Sequence, residues 1–391
     1  MKVLHLASSF PRSADDHVAP FLLDLARAQR QAGLDVAVLA PHDRGAPRRE
    51  RLDGVEVHRF RYGPDRLERL AYRGGLLGRA RTVGGLLLVP VFFAAFALST
   101  LRLTRRLRPD VLHAHWWLPA GLCALLASRV TKTPLVLTLH GSDVHLLHYR
   151  PVRLVAAAVL RRAAVVAVVS EDLRRTLVKV LGLSAEQVQV LRMPVARVLH
   201  PVPVQPAPPV RLLAAGRLAP EKGFDVLLHA LRLAVADGLD ARLELVGSGP
   251  EQDRLAQQAA PLGERVRLLP AEPREQLWRR LERAHLLVVP SRREGLGLVA
   301  LEALARGRPV LASRVGGLPE VVLDDTDGVL VPAGDAQQLA AALHAFTAEL
   351  TAERTGRLPT GRALDAHAPA QVARAHLDAY LATVSRPRAR P

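Results

Sequence analysis

Short apolar runs alternate with stretches of helical periodicity along this chain. In the first half, Val3–Ser8, Val36–Ala40, Val55–Phe60, Val111–His115, Leu135–Leu139, Val165–Val169 and Val188–Leu191 read as strands. Val18–Gln31 carries apolar residues at helical spacing and stops at Gly33. Continuous Val and Leu runs between helices predict a parallel sheet covered on both faces. The proline-rich stretch 201–209 then predicts a stiff linker. After it the alternation restarts, with strands at Leu212–Ala215, Leu243–Val246, Val266–Leu269, Leu286–Val289, Val310–Ala312 and Val329–Val331. The expected fold class is therefore α/β, with two doubly wound Rossmann-like domains facing a central cleft. The expected boundaries are residues 1–200, a linker at 201–210, residues 211–365, and a C-terminal helix and tail at 366–391. That last helix, about Ala368–Val384, can pack on either domain. Ligands of such sheets bind at the carboxyl ends of strands.

Residues 83–101 break the rhythm, because 19 positions pass without a charge. Arg79 and Arg81 precede them, and Arg102, Arg105, Arg106 and Arg108 follow. Three readings stand: a membrane span at the lower limit of length, a helix buried against the sheet, or a helix that also touches a bilayer surface.

Composition narrows the function. At 391 residues the chain has room for two ordinary domains. It holds 50 Arg against 4 Lys and lacks Ile and Asn, a bias that accounts for part of the net charge of +17. The charge is uneven, however. Residues 1–200 carry 30 basic and 15 acidic side chains, and the remainder carries 24 and 22. The first half is thus expected to face an anionic membrane surface or a phosphorylated acceptor. Nucleic acid is not expected, since aromatic residues make up only 4% of the chain and do not interleave with the basic ones. Cys123, the only cysteine, excludes an intrachain disulfide and reads as a buried thiol. The N-terminus enters a strand at once, which predicts a cytoplasmic location, peripheral at the inner face of the cell membrane.

Three loops carry the candidate chemistry. In the segment 288–303 an apolar strand runs into a charged loop with Gly295 and Gly297, and the loop opens into a helix at Leu298. Helix N-termini offer unpaired N–H groups to phosphate, and glycine lets the backbone approach a ligand. Glu294 lies before the helix and Glu302 one turn inside it, so the pair can bracket a diphosphate and bind hydroxyls on both sides. In the segment 212–224 a strand ends at Gly216, and Arg217 and Lys222 extend from the loop. Two fixed cations can neutralise a departing diphosphate without a metal ion. In a chain that writes Arg so often, Lys at 222 points to a compact ammonium. Finally, Thr138-Leu139-His140-Gly141-Ser142-Asp143 ends a first-half strand, with His140 at its carboxyl end and Asp143 able to cap the next segment. Each loop also has a plain structural reading, as a solvated loop or a satisfied turn.

No metal or cofactor is expected. His140, His145 and His148, like His113 and His115, lack carboxylates at ligand spacing. Asp324-Asp325-Thr326-Asp327-Gly328 lacks the downstream ligand of a cation loop and reads as a turn.

Together these blocks resemble the retaining glycosyltransferases of family 4, the group 1 glycosyl transferases, which have the GT-B fold. The resemblance is strongest over Val288 to Glu320, including Arg308-Pro309-Val310, Gly316-Gly317 and Pro319-Glu320. By that resemblance, Arg217 and Lys222 bind the donor diphosphate, and Glu294 holds hydroxyls of the transferred sugar. Backbone amides of Gly295, Leu296, Gly297, Leu298 and Val299 hold sugar and phosphate, Glu302 binds the ribose, and His140 reaches the sugar from the other domain. The family needs no catalytic metal. Many relatives carry a glycine-rich loop after the first strand, whereas residues 8–17 here contain none. This implies that Ser9, Phe10 and Arg12, with Asp143, shape the acceptor side. Pro194 stands where relatives often have glycine, which implies a stiffer hinge. The expected reaction moves a sugar from a UDP- or GDP-sugar to a lipid-linked or saccharide acceptor, with retention and front-face attack. The rival readings are a disaccharide phosphorylase or synthase on the same fold, and a non-catalytic basic membrane-binding protein.

Overall fold

The computed structural model describes residues 1–72, 83–198, 209–352 and 359–385. Most of the expected linker 201–210 lies outside them, as do Arg79 and Arg81. The chain divides into two compact units, Met1–Pro194 with Pro369–Pro391, and Val195–Ala368.

The first unit is built on eight strands: β1 (Lys2–Leu6), β2 (Asp35–Pro41), β3 (Arg49–Leu52), β4 (Val55–Phe60), β5 (Val111–His115), β6 (Leu135–Leu139), β7 (Val165–Val168) and β8 (Val188–Val190). Their order across the sheet is β3-β4-β2-β1-β5-β6-β7-β8. Every pairing is parallel except β3 with β4. Val3, Val36, Val38, Val111 and Val136 are fully buried, as expected for strands covered on both faces. β3 reads Arg-Glu-Arg-Leu and shows no apolar alternation, so the hydrophobic pattern misses it. Its signal is Asp53-Gly54, both at positive φ (48° and 81°), a two-residue hairpin turn feeding a charged edge strand.

The uncharged stretch forms the helix Val83–Leu107, with Pro90 inside it. One stripe covers the sheet: Phe92 and Phe96 are buried, with ring centroids 5.4 and 4.5 Å from that of Phe60 on β4. Leu86, Leu87, Val91 and Leu98 on the same helix stay exposed. Gly85–Leu107 is long and apolar enough to cross a membrane, with 22% of its most apolar window buried. Cys123 is buried, and burial pushes its thiol up to about 12.

The helix Pro369–Ser385 belongs to the first unit and packs against the helix Pro20–Gln31. Its fully buried Tyr380 receives a hydrogen bond from Gln29 Nε2 at 2.8 Å and lies 2.7 Å from His113 Nδ1.

The second unit carries β9 (Val210–Ala215), β10 (Ala241–Val246), β11 (Val266–Leu269), β12 (Leu286–Val289), β13 (Val310–Ser313) and β14 (Gly328–Val331). The order is β11-β10-β9-β12-β13-β14, all parallel. The unit starts before residue 200, because Val195 N–H donates to His367 O and Val198 N–H to Ala305 O, both at 2.9 Å. Those long-range bonds put the crossing between units at 194/195 and the return at 368/369.

Tyr380→Ala removes a buried ring and the hydroxyl that Gln29 Nε2 and His113 Nδ1 share. A loss of about 3–5 kcal/mol is expected, measured as a lowered urea midpoint. An unchanged midpoint would contradict the docking of the last helix.

Candidate active site

In the second sheet the strand order reverses at β9 and β12, which pair although residues 216–285 lie between them in sequence. A reversal of this kind is where open α/β sheets leave room for a ligand at the strand carboxyl ends. The loops after β9 and β12 are therefore neighbours, and they are stitched together. Arg292 forms a bidentate pair with Asp225 at 2.7 Å on both branches, and its N–H donates to Glu221 O at 2.8 Å. Gly223, at φ 66°, lies so close that an added Cβ would sit 2.1 Å from Pro290 O.

That stitching brings Lys222 to Glu294, with Nζ 2.7 Å from Oε2. Ser291 Oγ donates to the same oxygen at 3.2 Å, and Gly295 N–H donates to Oε1 at 3.2 Å. Arg217 is exposed, its NH2 3.1 Å from Glu221 Oε1. Such a surface pair contributes at most about 1 kcal/mol, and an arriving anion can displace it. Glu302 is buried at 8% exposure, and Arg274 places both Nε (2.7 Å) and NH2 (2.6 Å) on its Oε1. Oε2 is left for another donor. Arg274 and Arg306 both lie over the Trp278 ring, at 4.7 and 3.9 Å from its centroid.

The helix that opens after Gly297 spans only Leu298–Leu304. Its dipole is correspondingly small, so positive charge near these loops comes from side chains, Lys222 and Arg217 among them. Leu296 is buried and Gly297 has φ 90°, so Gly295, Leu296, Gly297, Leu298 and Val299 present backbone rather than side-chain polarity. Gly316, at φ 56°, supports the loop from below: an added Cβ would meet Glu294 O at 1.8 Å.

The first sheet also reverses, at β1 and β5. His140 follows β6, beside β5, with Phe21 and Trp116 ring centroids 5.1 and 5.0 Å from its ring. Burial pushes His140 down to about 3, and holds the neighbouring His113 and His115 well below the usual histidine range. Asp143 Oδ1 accepts from the N–H groups of His140, Gly141 and Val144, each at 3.1 Å. It thus pins the turn that carries His140, but it is not the expected cap, because the helix Ser142–His145 has Gly141 at its N-cap and Asp143 lies inside it. Oδ2 is buried without a partner, and burial raises the carboxyl to about 6 against those N–H groups.

The loop after β1 departs from its expected acceptor role at one position. Phe10 is 1% exposed and packs in the core, so it offers an acceptor no surface. Arg12 is held by Asp16 and Asp43, each at 2.7 Å, which stiffens a loop without glycine. Ser9 is partly exposed.

Among the described residues, His140, His145 and His148 do not converge. His5, His113 and His115 do, with one ligand atom of each within 4.8 Å of the others, yet every ring nitrogen of the three already has a hydrogen-bond partner. Asp324 Oδ1 accepts from Thr326 N–H, Thr326 Oγ1 and Asp327 N–H, the arrangement of a turn. The pattern of loops missed Arg274, Ser291, Arg292 and His5, because their partners lie far off in sequence or, for Ser291, inside a loop read only for its charges.

Residues 209–349 match the model for glycosyl transferases group 1, and residues 18–194 match a glycosyl transferase 4-like domain. The chain is 28% identical to glycogen synthase of Mycobacterium tuberculosis, over 98% of this chain and 95% of that one. It is 33% identical to 2-deoxystreptamine N-acetyl-D-glucosaminyltransferase of Streptomyces fradiae, over 81% and 79%. It is 31% identical to D-inositol 3-phosphate glycosyltransferase of Thermobispora bispora, over 83% and 79%. Among solved structures, sucrose-phosphate synthase from Thermosynechococcus elongatus superposes with a TM-score of 0.80 at 24% identity, over 97% of this chain and 98% of that one. Anabaena HepE in complex with UDP-glucose gives 0.71 at 21%, over 97% and 99%. The fold is GT-B, and the chain belongs to the group 1 glycosyltransferases, which use nucleotide sugars.

Gly334, at φ 81°, has open space around it, whereas Gly316 does not. Gly334→Ala is expected to cost about 1–2 kcal/mol from backbone conformation alone. Gly316→Ala should cost about 1–3 kcal/mol more, seen as a lower thermal midpoint. Equal shifts would show that the loop is not held from this side.

Proposed function

We propose that this protein is a retaining hexosyltransferase that moves a sugar from a UDP- or GDP-sugar to a lipid-linked or saccharide acceptor, in glycolipid or polysaccharide synthesis. One observation carries the reading: Lys222 Nζ lies 2.7 Å from Glu294 Oε2 beside the β9–β12 reversal. A carboxylate and an ammonium in contact suit the two ends of an activated sugar, hydroxyls on one side and diphosphate on the other. Arg217 adds the second cation, and the free oxygen of Glu302 takes a ribose hydroxyl. The reading calls on no metal ion, since these side chains supply the positive charge.

In the proposed step the bond from the anomeric carbon to the diphosphate oxygen breaks, and the electron pair leaves with the diphosphate toward Lys222 and Arg217. The acceptor oxygen bonds the anomeric carbon on the same face. Its proton passes to a phosphate oxygen of the donor. His140 contacts the sugar, and the loop after β1, with Asp143, serves the acceptor.

The surface of the first unit favours a membrane-proximal acceptor. Leu86, Leu87, Val91 and Leu98 are exposed on Val83–Leu107, and Leu126 and Val130 on the contacting helix Leu122–Thr131. Arg102, Arg105, Arg129 and Lys132 lie on or beside the same two helices. Exposed apolar residues, with cations toward the C-terminal ends of both helices, fit the interface of an anionic bilayer at the inner face of the cell membrane.

Lys222→Ala is expected to lower transfer from a labelled nucleotide sugar by about two to three orders of magnitude with the fold intact. Near-normal turnover would sink the assignment, and release of sugar phosphate from a disaccharide plus phosphate would favour a phosphorylase. Flotation with anionic liposomes at low salt should recover the protein, and Leu86→Glu with Leu87→Glu should abolish recovery. Failure of the wild type to float removes the membrane from the account.

A further inference from the structure

The first unit contains one continuous hydrogen-bonded chain of side chains, all buried except the half-buried His140 at one end. His140 Nε2 lies 3.1 Å from His115 Nδ1, and His115 Nε2 lies 2.9 Å from His5 Nδ1. His5 Nε2 lies 2.7 Å from Gln29 Oε1. Gln29 Nε2 donates to Tyr380 OH at 2.8 Å. On the far side, Tyr380 OH is 2.7 Å from His113 Nδ1, and His113 Nε2 is 2.8 Å from Thr138 Oγ1. The sequence scatters these residues from position 5 to position 380. The sheet order β2-β1-β5-β6 and the docked C-terminal helix bring them together.

A neutral imidazole has one N–H and one lone pair. Burial keeps these rings neutral, so each bond between two of them needs one donor and one acceptor. The direction of a single bond therefore decides all the others. Gln29 Oε1 can only accept, so His5 Nε2 donates to it and His5 Nδ1 holds a lone pair. His115 Nε2 then donates to His5, and His115 Nδ1 holds a lone pair. His140 Nε2 donates to His115, which leaves the lone pair of His140 on Nδ1. Among the described residues nothing bonds to that nitrogen. Turning the Gln29 amide over would reverse every bond as far as His140 and put an N–H at Nδ1 instead. In the orientation seen here Gln29 Nε2 donates to Tyr380 OH, whose own proton then goes to His113 Nδ1 and leaves His113 Nε2 to donate to Thr138 Oγ1. Phe21 and Trp116, at 5.1 and 5.0 Å, confine the ring of His140 itself.

We propose that Gln29, with its amide nitrogen on Tyr380 OH, sets the tautomer of His140 through His5 and His115, so that His140 Nδ1 accepts a hydrogen bond from a hydroxyl of the donor sugar. Gln29, His5, His115 and Tyr380 act as positioning residues in this scheme; none touches the sugar. The inference rests on the assignment of His140 to the sugar made above. It deepens that assignment by giving the contact a direction. The binding partner at Nδ1 must be a hydroxyl that donates, and a derivative with a methoxy group at that position is excluded.

Nitrogen NMR of the full-length protein with isotope-labelled histidine tests the relay directly. The His140 signals are assigned by their disappearance in His140→Ala. The wild type is expected to show His140 as the Nε2–H tautomer alone. Gln29→Leu removes the anchor, and Tyr380→Phe removes one oxygen and frees the Gln29 amide to turn. Both are expected to show a mixture of His140 tautomers. Both should also lower the transfer rate by about three- to tenfold, the worth of one neutral hydrogen bond. Tyr380→Phe keeps the test alive if Gln29→Leu fails to fold. An Nδ1–H tautomer in the wild type overturns the proposal, as does a single unchanged tautomer in both variants. If the tautomers shift as expected but His140→Ala transfers sugar at the wild-type rate, the sugar contact falls and the relay stands.

Discussion

The pairing of β9 with β12 is the constraint from which the donor site follows. Two strands that are not consecutive in sequence lie side by side, so the loops that leave their carboxyl ends must share one space. Close backbone packing at Gly223 and the Arg292–Asp225 pair then leave those loops little freedom. Lys222 and Glu294 meet because of that geometry and not because either is near the other in the chain. The contact joins opposite charges at 26% and 13% side-chain exposure. At that depth it is better screened from water than a surface pair, yet still reachable by a ligand.

The first unit solves a different problem. Polar groups placed in a sheet core must find partners or carry a desolvation cost. Here histidines from β1 and β5 satisfy each other, and the remaining ends are closed by Gln29, Tyr380 and Thr138. A chain of this kind is ordered only when complete, because one missing member leaves its neighbours free to reverse. The same completeness links the last helix of the protein to the turn at His140.

Much of this was readable from residue order. The strands of both sheets appear as Val and Leu runs, and the loops with Lys222, Glu294 and His140 fall at their carboxyl ends. What stayed hidden depended on distance in sequence or on absent hydrophobic contrast. β3 is charged at three of its four positions and is betrayed only by Asp53-Gly54. The grip of Arg274 on Glu302 joins a helix start to a helix interior 28 positions on. His5 looked like one polar residue in an apolar strand, and its partners Gln29 and His115 are assembled only by the sheet. The family resemblance puts Phe10 on the acceptor side through its glycine-free loop, but this single large apolar side chain turns inward. The helix at 83–107, uncharged up to Leu101, supports three competing readings because it carries two apolar stripes, one packed on Phe60 and one open.

Val195 and His367 share a backbone hydrogen bond at 2.9 Å, so the second unit enters and leaves the chain at a single point. Topologically it is a guest lodged within a host, since the host resumes with the helix that carries Tyr380. Excising the guest would require only a short splice between Pro194 and Pro369. Exchanging it with that of a relative would take two junctions, whereas a chimera cut once in mid-chain would strand the closing helix with the wrong partner.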